Sequence, residues 1–430
     1  MGVCYTLSYI DRQIISLLID PIKQTFALSD TQVGLMQGLS FSLFYVAASL
    51  PLAWLADKGH RASVISICVA AWSFMTVLCG VAQNYTQLFL ARIGVAVGEA
   101  GLTPAALATI GDLFEPKKLA IPTAIFMLAP FVGGGLSLLG GGALYAATES
   151  WSMPAIPGLG VLERWQLVFI LVGAPGILLA LPVFWFIRAS GKPHTVEHQS
   201  ISEGVVFIKK EWRFTAFYML AMGLAMTLMS SYVTWLPAAI MRSKGIDEQT
   251  IGLLFGPIYL LAGAAGTMGA GIIVERMGGN DPVKAILRFM RICTAILLPV
   301  GVIGPLVPSL WLELFLMGFS ILIISSIASV SSLPFQYIAP MHLRAQSIAI
   351  LALVCALLGT GSGPILAGVL SDALQFLDHP LSSALAIIAA VVLPIIFLLF
   401  TLVAKHHERA RLDQRQGTLM HSQSHADAAT

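Results

Sequence analysis

Four ionisable residues stand inside apolar stretches of this 430-residue chain, and their spacing limits the chemistry open to them. Asp11 and Arg12 are neighbours in SYIDRQIIS, residues 8–16. Adjacent side chains on a helix diverge by about 100°, so this acid and base cannot neutralise each other face to face. Each needs its own partner or water. Arg92 and Glu99 stand seven residues apart in ARIGVAVGEAGLTPAALATIGDLF, residues 91–114. Seven residues is nearly two turns, which puts both on one face about 10.5 Å apart along the axis, too far for a good direct pair. Gly94, Gly98 and Gly101 fall on the opposite face, where small residues admit a neighbouring helix closely. That helix is expected to pack on its glycine face and turn Arg92 and Glu99 toward a central cavity.

What such charges do depends on their solvent. The chain is 57% hydrophobic and only 11% charged, with a mean hydropathy of +0.85. Soluble proteins run near 25% charged, and a soluble domain this poor in charge could not cover its surface. The composition therefore reads as a polytopic membrane protein. In a bilayer an ionisable group costs roughly 3 kcal/mol and usually has a function. Asp11 is expected to take up a proton near physiological pH. Arg12 or Arg92 would be its counter-charge. Glu99 would be a second proton site, or would bind a cationic or hydrogen-bonding part of a substrate. The plainer alternative is a polar network that only fixes helix packing.

The elements that position these groups are twelve apolar stretches of roughly 20 residues, the length that spans a bilayer. They divide six and six: residues 1–187, a polar linker at 188–213, residues 214–404, and a polar tail, 405–430, expected to be disordered. The expected fold is all-α, two pseudo-symmetric six-helix bundles. With both termini and the linker in the cytoplasm, 18 of the 24 Lys and Arg fall on that side. Lys23, Arg164, Arg242 and Lys244 fall outside, and Arg12 and Arg92 lie within the membrane. This bias sets the orientation. No basic region precedes the first apolar stretch and no small-residue cleavage site follows it, so it does not read as a signal peptide. Helix 1 is expected to begin at the membrane edge, which leaves room for a natural start upstream of Met1.

A repeat supports two related halves. Ala53 precedes Asp57-Lys58 by the spacing at which Gly271 precedes Glu275-Arg276. Pro116 after helix 4 is echoed by Pro340 after helix 10. Similar offsets, each near half the chain, are the mark of internal repeats in transporters.

These residues resemble the major facilitator superfamily. Asp57-Lys58-Gly59-His60-Arg61 is similar to its helix 2–3 loop signature, with Ala53, His60 and Ala62 departing from the usual residues. Within the superfamily YIDR (Tyr9–Arg12), the Ala91–Phe114 stretch, RWQLVFILVGAPG, TWLPAAIMR and GTGSGPILAGVLSD resemble the spinster family. The resemblance covers the chain except the tail. It implies a secondary transporter working by alternating access, proton-coupled as bacterial members look. It also implies an amphiphilic, lysolipid-like cargo, since animal members are linked to lysolipid and sphingosine-phosphate export. It implies that Asp57, Lys58 and Arg61 latch a cytoplasmic gate between helices 2 and 11, with Glu275 and Arg276 as the weaker echo. The expected location is a bacterial inner membrane.

The second half lacks central charges; Tyr232, Trp235, Ser331 and Gln336 are its candidate cavity-lining residues. A charged half facing an apolar one suits an amphiphile. A small organic anion, a carboxylate or sugar acid held by Arg12 and Arg92, is the alternative cargo. A transport-inactive receptor or scaffold is the alternative of another class. An intramembrane enzyme needs HExxH, GxSxG or paired aspartates, and none occurs. The five cysteines lie in apolar runs without CxxC or Cys/His clusters and read as core. The glycine runs at 133–135 and 140–142 lack the Lys-Ser/Thr of a phosphate loop and read as helix-packing sites. No cofactor, metal or nucleic acid is expected. The expected partners are the substrate, protons and the lipid bilayer, with the chain a monomer.

Overall fold

Backbone polar groups have no water to bond in hydrocarbon, so apolar stretches fold as helices that satisfy them internally. The structure is a computed structural model, and it describes residues 1–115, 118–153, 155–156, 160–189, 211–279 and 281–427. Twelve crossing helices follow in order. In the first half they are α1 (Gly2–Leu17), α2 (Asp30–Gln37 continued as Leu39–Leu55), α3 (Arg61–Cys79), α4 (Tyr85–Glu99 continued as Leu102–Leu113), α5 (Ala120–Ala147) and α6 (Arg164–Ala189). In the second they are α7 (Trp212–Lys244), α8 (Glu248–Met277), α9 (Pro282–Ile303), α10 (Leu310–Ser329), α11 (Arg344–Val354 and Ser362–Ala373) and α12 (Pro380–Asp427). Ten described runs are long and apolar enough to cross a membrane alone. The difference from twelve arises because Asp30–Cys79 counts as one run holding α2 and α3, and because the 16 residues of α1 fall short. A two-stranded ribbon pairing Ala155 with Val161 is the one β-structure among the described residues.

The breaks have local causes. Gly59 (φ 94°) makes the left-handed turn between α2 and α3, a conformation that a Cβ disfavours. α4 is interrupted immediately after Glu99. The middle of α11, Cys355–Thr360, is a widened π-helical turn, a feature frequent at functional sites. Gly94, Gly98 and Gly101 press on Met75, Trp72 and Cys68 of α3, as their shared face requires. The α5 glycines serve two neighbours: Gly133 and Gly141 meet α1, while Gly134, Gly135 and Gly142 meet α8. Cys4, Cys68, Cys79 and Cys293 are buried, Cys355 is half-buried, and all are free thiols.

Two expectations need correction or fall outside view. The tail does not begin as a disordered segment at Lys405; α12 continues without a break to Asp427. Extending an existing helix avoids a new nucleation cost, and KHHERARLDQRQ contains no Gly or Pro. The extension is also held from the side: Asp281 accepts from His407 at 3.2 Å and pairs with Arg411 at 2.9 Å, and Lys284 pairs with Glu408 at 2.7 Å. Most of the expected linker (190–210) and Pro116 lie outside the described residues.

Candidate functional site

α1 and α4 bring the four charges together. Arg12 does not pair with Asp11. Its Nε donates to Glu99 Oε2 at 3.0 Å and its Nη2 forms a closer ion pair with the same oxygen. The divergence of about 100° between adjacent side chains on α1 turns Asp11 to another face, where it is 2% exposed. There Thr76 Oγ1 donates to Asp11 Oδ2 at 3.3 Å. Arg92, 1% exposed, reaches the backbone carbonyl of Asp11 at 3.4 Å, not its carboxylate. Among the described residues no cation forms an ion pair with Asp11. The geometry gives Arg12 to Glu99 and leaves Arg92 on the backbone carbonyl of Asp11, so a counter-charge on the ionised Asp11 carboxylate would act without direct contact.

Glu99 is 2% exposed and its Oε1 has no hydrogen-bond partner, as is true of Arg92 Nε. Two buried polar atoms without partners each cost about 1–3 kcal/mol. Such atoms mark a place where a proton, water or ligand group would be welcome.

An aromatic wall surrounds the cations. The Arg12 guanidinium lies 4.6 Å from the Phe41 ring centre, 4.9 Å from Tyr9 and 5.5 Å from Tyr45. Arg92 lies 5.5 Å from Phe41 as well, so one ring serves both arginines. Desolvated cation–π contacts are worth up to about 2 kcal/mol. Phe41, Tyr45 and Thr76 escaped the sequence reading. Their only signal was position: Phe41 and Tyr45 stand one turn apart, and nothing linear ties them to Arg12.

The other candidate residues fare differently. Tyr232 and Trp235 do not line a cavity. Both are fully buried, with Tyr232 donating to the Gly301 carbonyl at 2.8 Å and Trp235 to that of Pro364 at 2.9 Å. An aromatic whose polar atom is bonded to backbone in the core is a packing residue. Ser331 is half-buried with its carbonyl bonded by Tyr218, and Gln336 is exposed near the end of the short helix Leu333–Ile338. At the loop after α2, Arg61 pairs with Asp112 and donates to the Ala108 carbonyl, both in its own half. Lys58 lies 3.6 Å over Trp54, Asp57 is half-buried, and Glu275 and Arg276 are exposed.

A second charged constellation, unread in the sequence, joins the two halves at the opposite end. Arg242 at the end of α7 pairs with Asp20 at 2.6 Å and with Asp30 at 2.8 Å. Lys23 also pairs with Asp30. Ser371 donates to Asp30 at 2.7 Å, and Asp372 accepts from the backbone N–H groups of Asp30 and Thr31 at 3.1 and 2.8 Å. Gly34 and Gly38 of α2 press on Pro364 and Gly361 of α11. Gln13 donates to the Val233 carbonyl of α7 at 2.6 Å. The α5–α8 approaches run from Gly142 against Glu248 to Phe131 against Gly263, while nothing lies within 4 Å of a Cβ placed on Gly269 or Gly271. All these cross-half contacts lie between the midplane and the Asp30 end. The halves are thus locked at that end.

A twelve-helix membrane bundle in two halves, locked at one end with buried charges beneath the lock, has the architecture of a transporter and not of an enzyme. The chain belongs to the major facilitator superfamily, whose pattern matches residues 1–359, and within it is spinster-like. It is 31% identical to an MFS-type efflux pump of Mycolicibacterium smegmatis, over 86% of this chain and 82% of that one. It is 27% identical to a probable L-galactonate transporter of Escherichia coli, over 65% and 61%. It is 24% identical to the sphingosine-1-phosphate transporter SPNS2 of Danio rerio, over 86% and 74%. Among solved structures it resembles a bacterial homologue of the human lysosomal transporter Spinster in an inward-facing, occupied conformation. The TM-score is 0.77, with 28% identity and 95% of both chains covered.

Proposed function

We propose that the chain is a proton-coupled secondary transporter that moves an amphiphilic, lysolipid-like substrate by alternating access. The observation that carries this reading is Asp11: a carboxyl 2% exposed, hydrogen-bonded by Thr76, with no ion-pair partner among the described residues. An uncompensated buried carboxylate is far costlier than a carboxylic acid. Asp11 is therefore the group that binds and releases the proton. Glu99 follows as a second proton site, because protonating it would free Arg12 for a substrate's anionic group. In this reading the Lys and Arg bias puts the termini and the Lys58 end in the cytoplasm. The lock at Asp30 then closes the outer side and leaves the site facing inward. Asp57, Lys58 and Arg61 would close the inner side in the alternate state.

The amphiphile reading rests on the charge asymmetry. The head would sit among Arg12, Arg92 and Glu99, and the tail against the central stretches of α7, α10 and α11, whose charges lie only toward their ends. The sphingosine-phosphate cargo of the zebrafish relative is of this kind. The named cargo of the Escherichia coli relative supports the second reading, a sugar acid held by Arg12 and Arg92.

Proton flux into proteoliposomes holding a pH dye tests both. Lysophospholipid-dependent flux that disappears in Asp11→Asn supports the first reading. Flux driven by galactonate and not by lysolipid replaces it with the second. Flux that persists in Asp11→Asn removes Asp11 from the coupling path, and no flux with either ligand turns the reading toward a receptor or scaffold.

A further inference from the structure

The contact between α9 and the extension of α12 contains a charge imbalance that the transport cycle does not use. The two helices run antiparallel in a fixed register. Asp281 pairs with Arg411, and three residues along α9 Lys284 pairs with Glu408, three residues back along α12. Each of these rungs matches one cation with one anion. Continuing the register, Arg288 falls level with Ala404, beside Lys405. Lys405 shares the face of Glu408 and Leu412 by helical spacing. Both Arg288 and Lys405 are exposed, and among the described residues neither has an anionic partner.

The depth of this rung is informative. Residues 380–404 carry no charge, and Lys405 is the first ionisable residue after that apolar run. Arg288 and Lys405 therefore stand where the hydrocarbon-facing surface of α12 gives way to the polar one. Beside them opens a recess of about 540 Å³ lined by Asp281, Lys284, Arg288, Glu408 and Arg411. Cations left unpaired at such a border find their counter-ion in the headgroup layer.

The geometry points to a binding site for the phosphate of an anionic phospholipid, held by Arg288 and Lys405 at the α9–α12 border and separate from the transport path. The lipid phosphate supplies the ladder's third rung with the anion it lacks, offsetting one of the two positive charges, and ties the α12 extension to the membrane surface.

Native mass spectrometry of the full chain in detergent tests this, with phosphatidylglycerol, phosphatidylcholine and inorganic phosphate as probes. The wild type is expected to retain phosphatidylglycerol in preference to phosphatidylcholine. Each basic residue near a membrane surface is worth about fivefold in affinity, so Arg288→Gln with Lys405→Gln should weaken phosphatidylglycerol binding about 25-fold. Phosphatidylcholine binding should not change. The charge-preserving pair Arg288→Lys with Lys405→Arg should bind as the wild type does, which keeps the test open if the glutamine pair does not fold. Equal retention of the two lipids, or undiminished phosphatidylglycerol binding by a folded glutamine pair, overturns the site. Displacement of the lipid by millimolar inorganic phosphate overturns the lipid assignment in favour of a free anion. None of these readings depends on transport.

Discussion

Arg12 passes over the acid next to it in the chain and bonds Glu99, 87 residues away. Helix geometry forces that choice, and it divides the site into a neutralised pair and a lone carboxyl. Arg12 is 24% exposed at its side chain while Glu99 is 2% exposed, so the pair has one member at the cavity and one in the core. This asymmetry generates the first expectation.

Removing Glu99 strands a cation that is mostly surrounded by rings. Glu99→Gln should lower stability by about 1–3 kcal/mol, the cost of an unsatisfied charged partner. Arg12→Gln alone should cost more, because it leaves the deeper charge unpaired. A double-mutant cycle of thermal unfolding measures the coupling, and a value below about 0.5 kcal/mol would show that the pair is not formed.

The lock at the Asp30 end should respond to charge removal at its centre. Arg242 serves Asp20 and Asp30 together. Arg242→Gln therefore removes at least two charge-assisted bonds, each worth about 1.5–3 kcal/mol. The closed-end population should fall by tenfold or more. A cysteine placed at Ser243 reports this by its rate of alkylation, which should rise in Arg242→Gln and rise further when Asp372→Asn is added.

The α5–α8 seam depends on closeness more than on charge. A Cβ at Gly142 would lie 2.5 Å from the Glu248 carbonyl oxygen, a backbone atom that cannot move aside alone. Gly142→Leu should separate the helices at the locked end and lower the thermal midpoint by several degrees. Gly269→Leu on α8, where nothing lies within 4 Å, should leave the midpoint near that of the wild type.

The α12 extension should loosen in acid. Burial works against the charge of Asp281, but the Lys284 backbone N–H, His407 and Arg411 outweigh it and hold the carboxyl below its ordinary value. A depressed carboxyl contributes stability above its unfolded value, about 3.9, and loses it as pH falls through the folded value. Amide exchange in residues 405–412 should accordingly accelerate below about pH 4. Asp281→Asn should show part of that acceleration already at pH 7.

Sequence alone determined the class of the molecule, because composition and hydrophobic length report directly on the solvent a chain requires. It also singled out four ionisable residues, because charges in apolar spans stand out against their neighbours. The packing face of Gly94, Gly98 and Gly101 was legible for the same kind of reason: helical period is a local property. Partnership was not. That Glu99 belongs to Arg12, that Phe41 lies against both arginines, and that Arg242 reaches Asp20 and Asp30 depend on how separate helices are rotated and stacked. Tyr232 and Trp235 show the same limit, because a polar aromatic in an apolar helix reads alike whether it faces a cavity or a neighbouring carbonyl. The tail shows it too: it was α9 alongside that supplied Asp281 and Lys284 to hold His407, Glu408 and Arg411 in the extended helix. Ion pairing and burial are relations between segments distant in the chain, so only the tertiary structure could decide them.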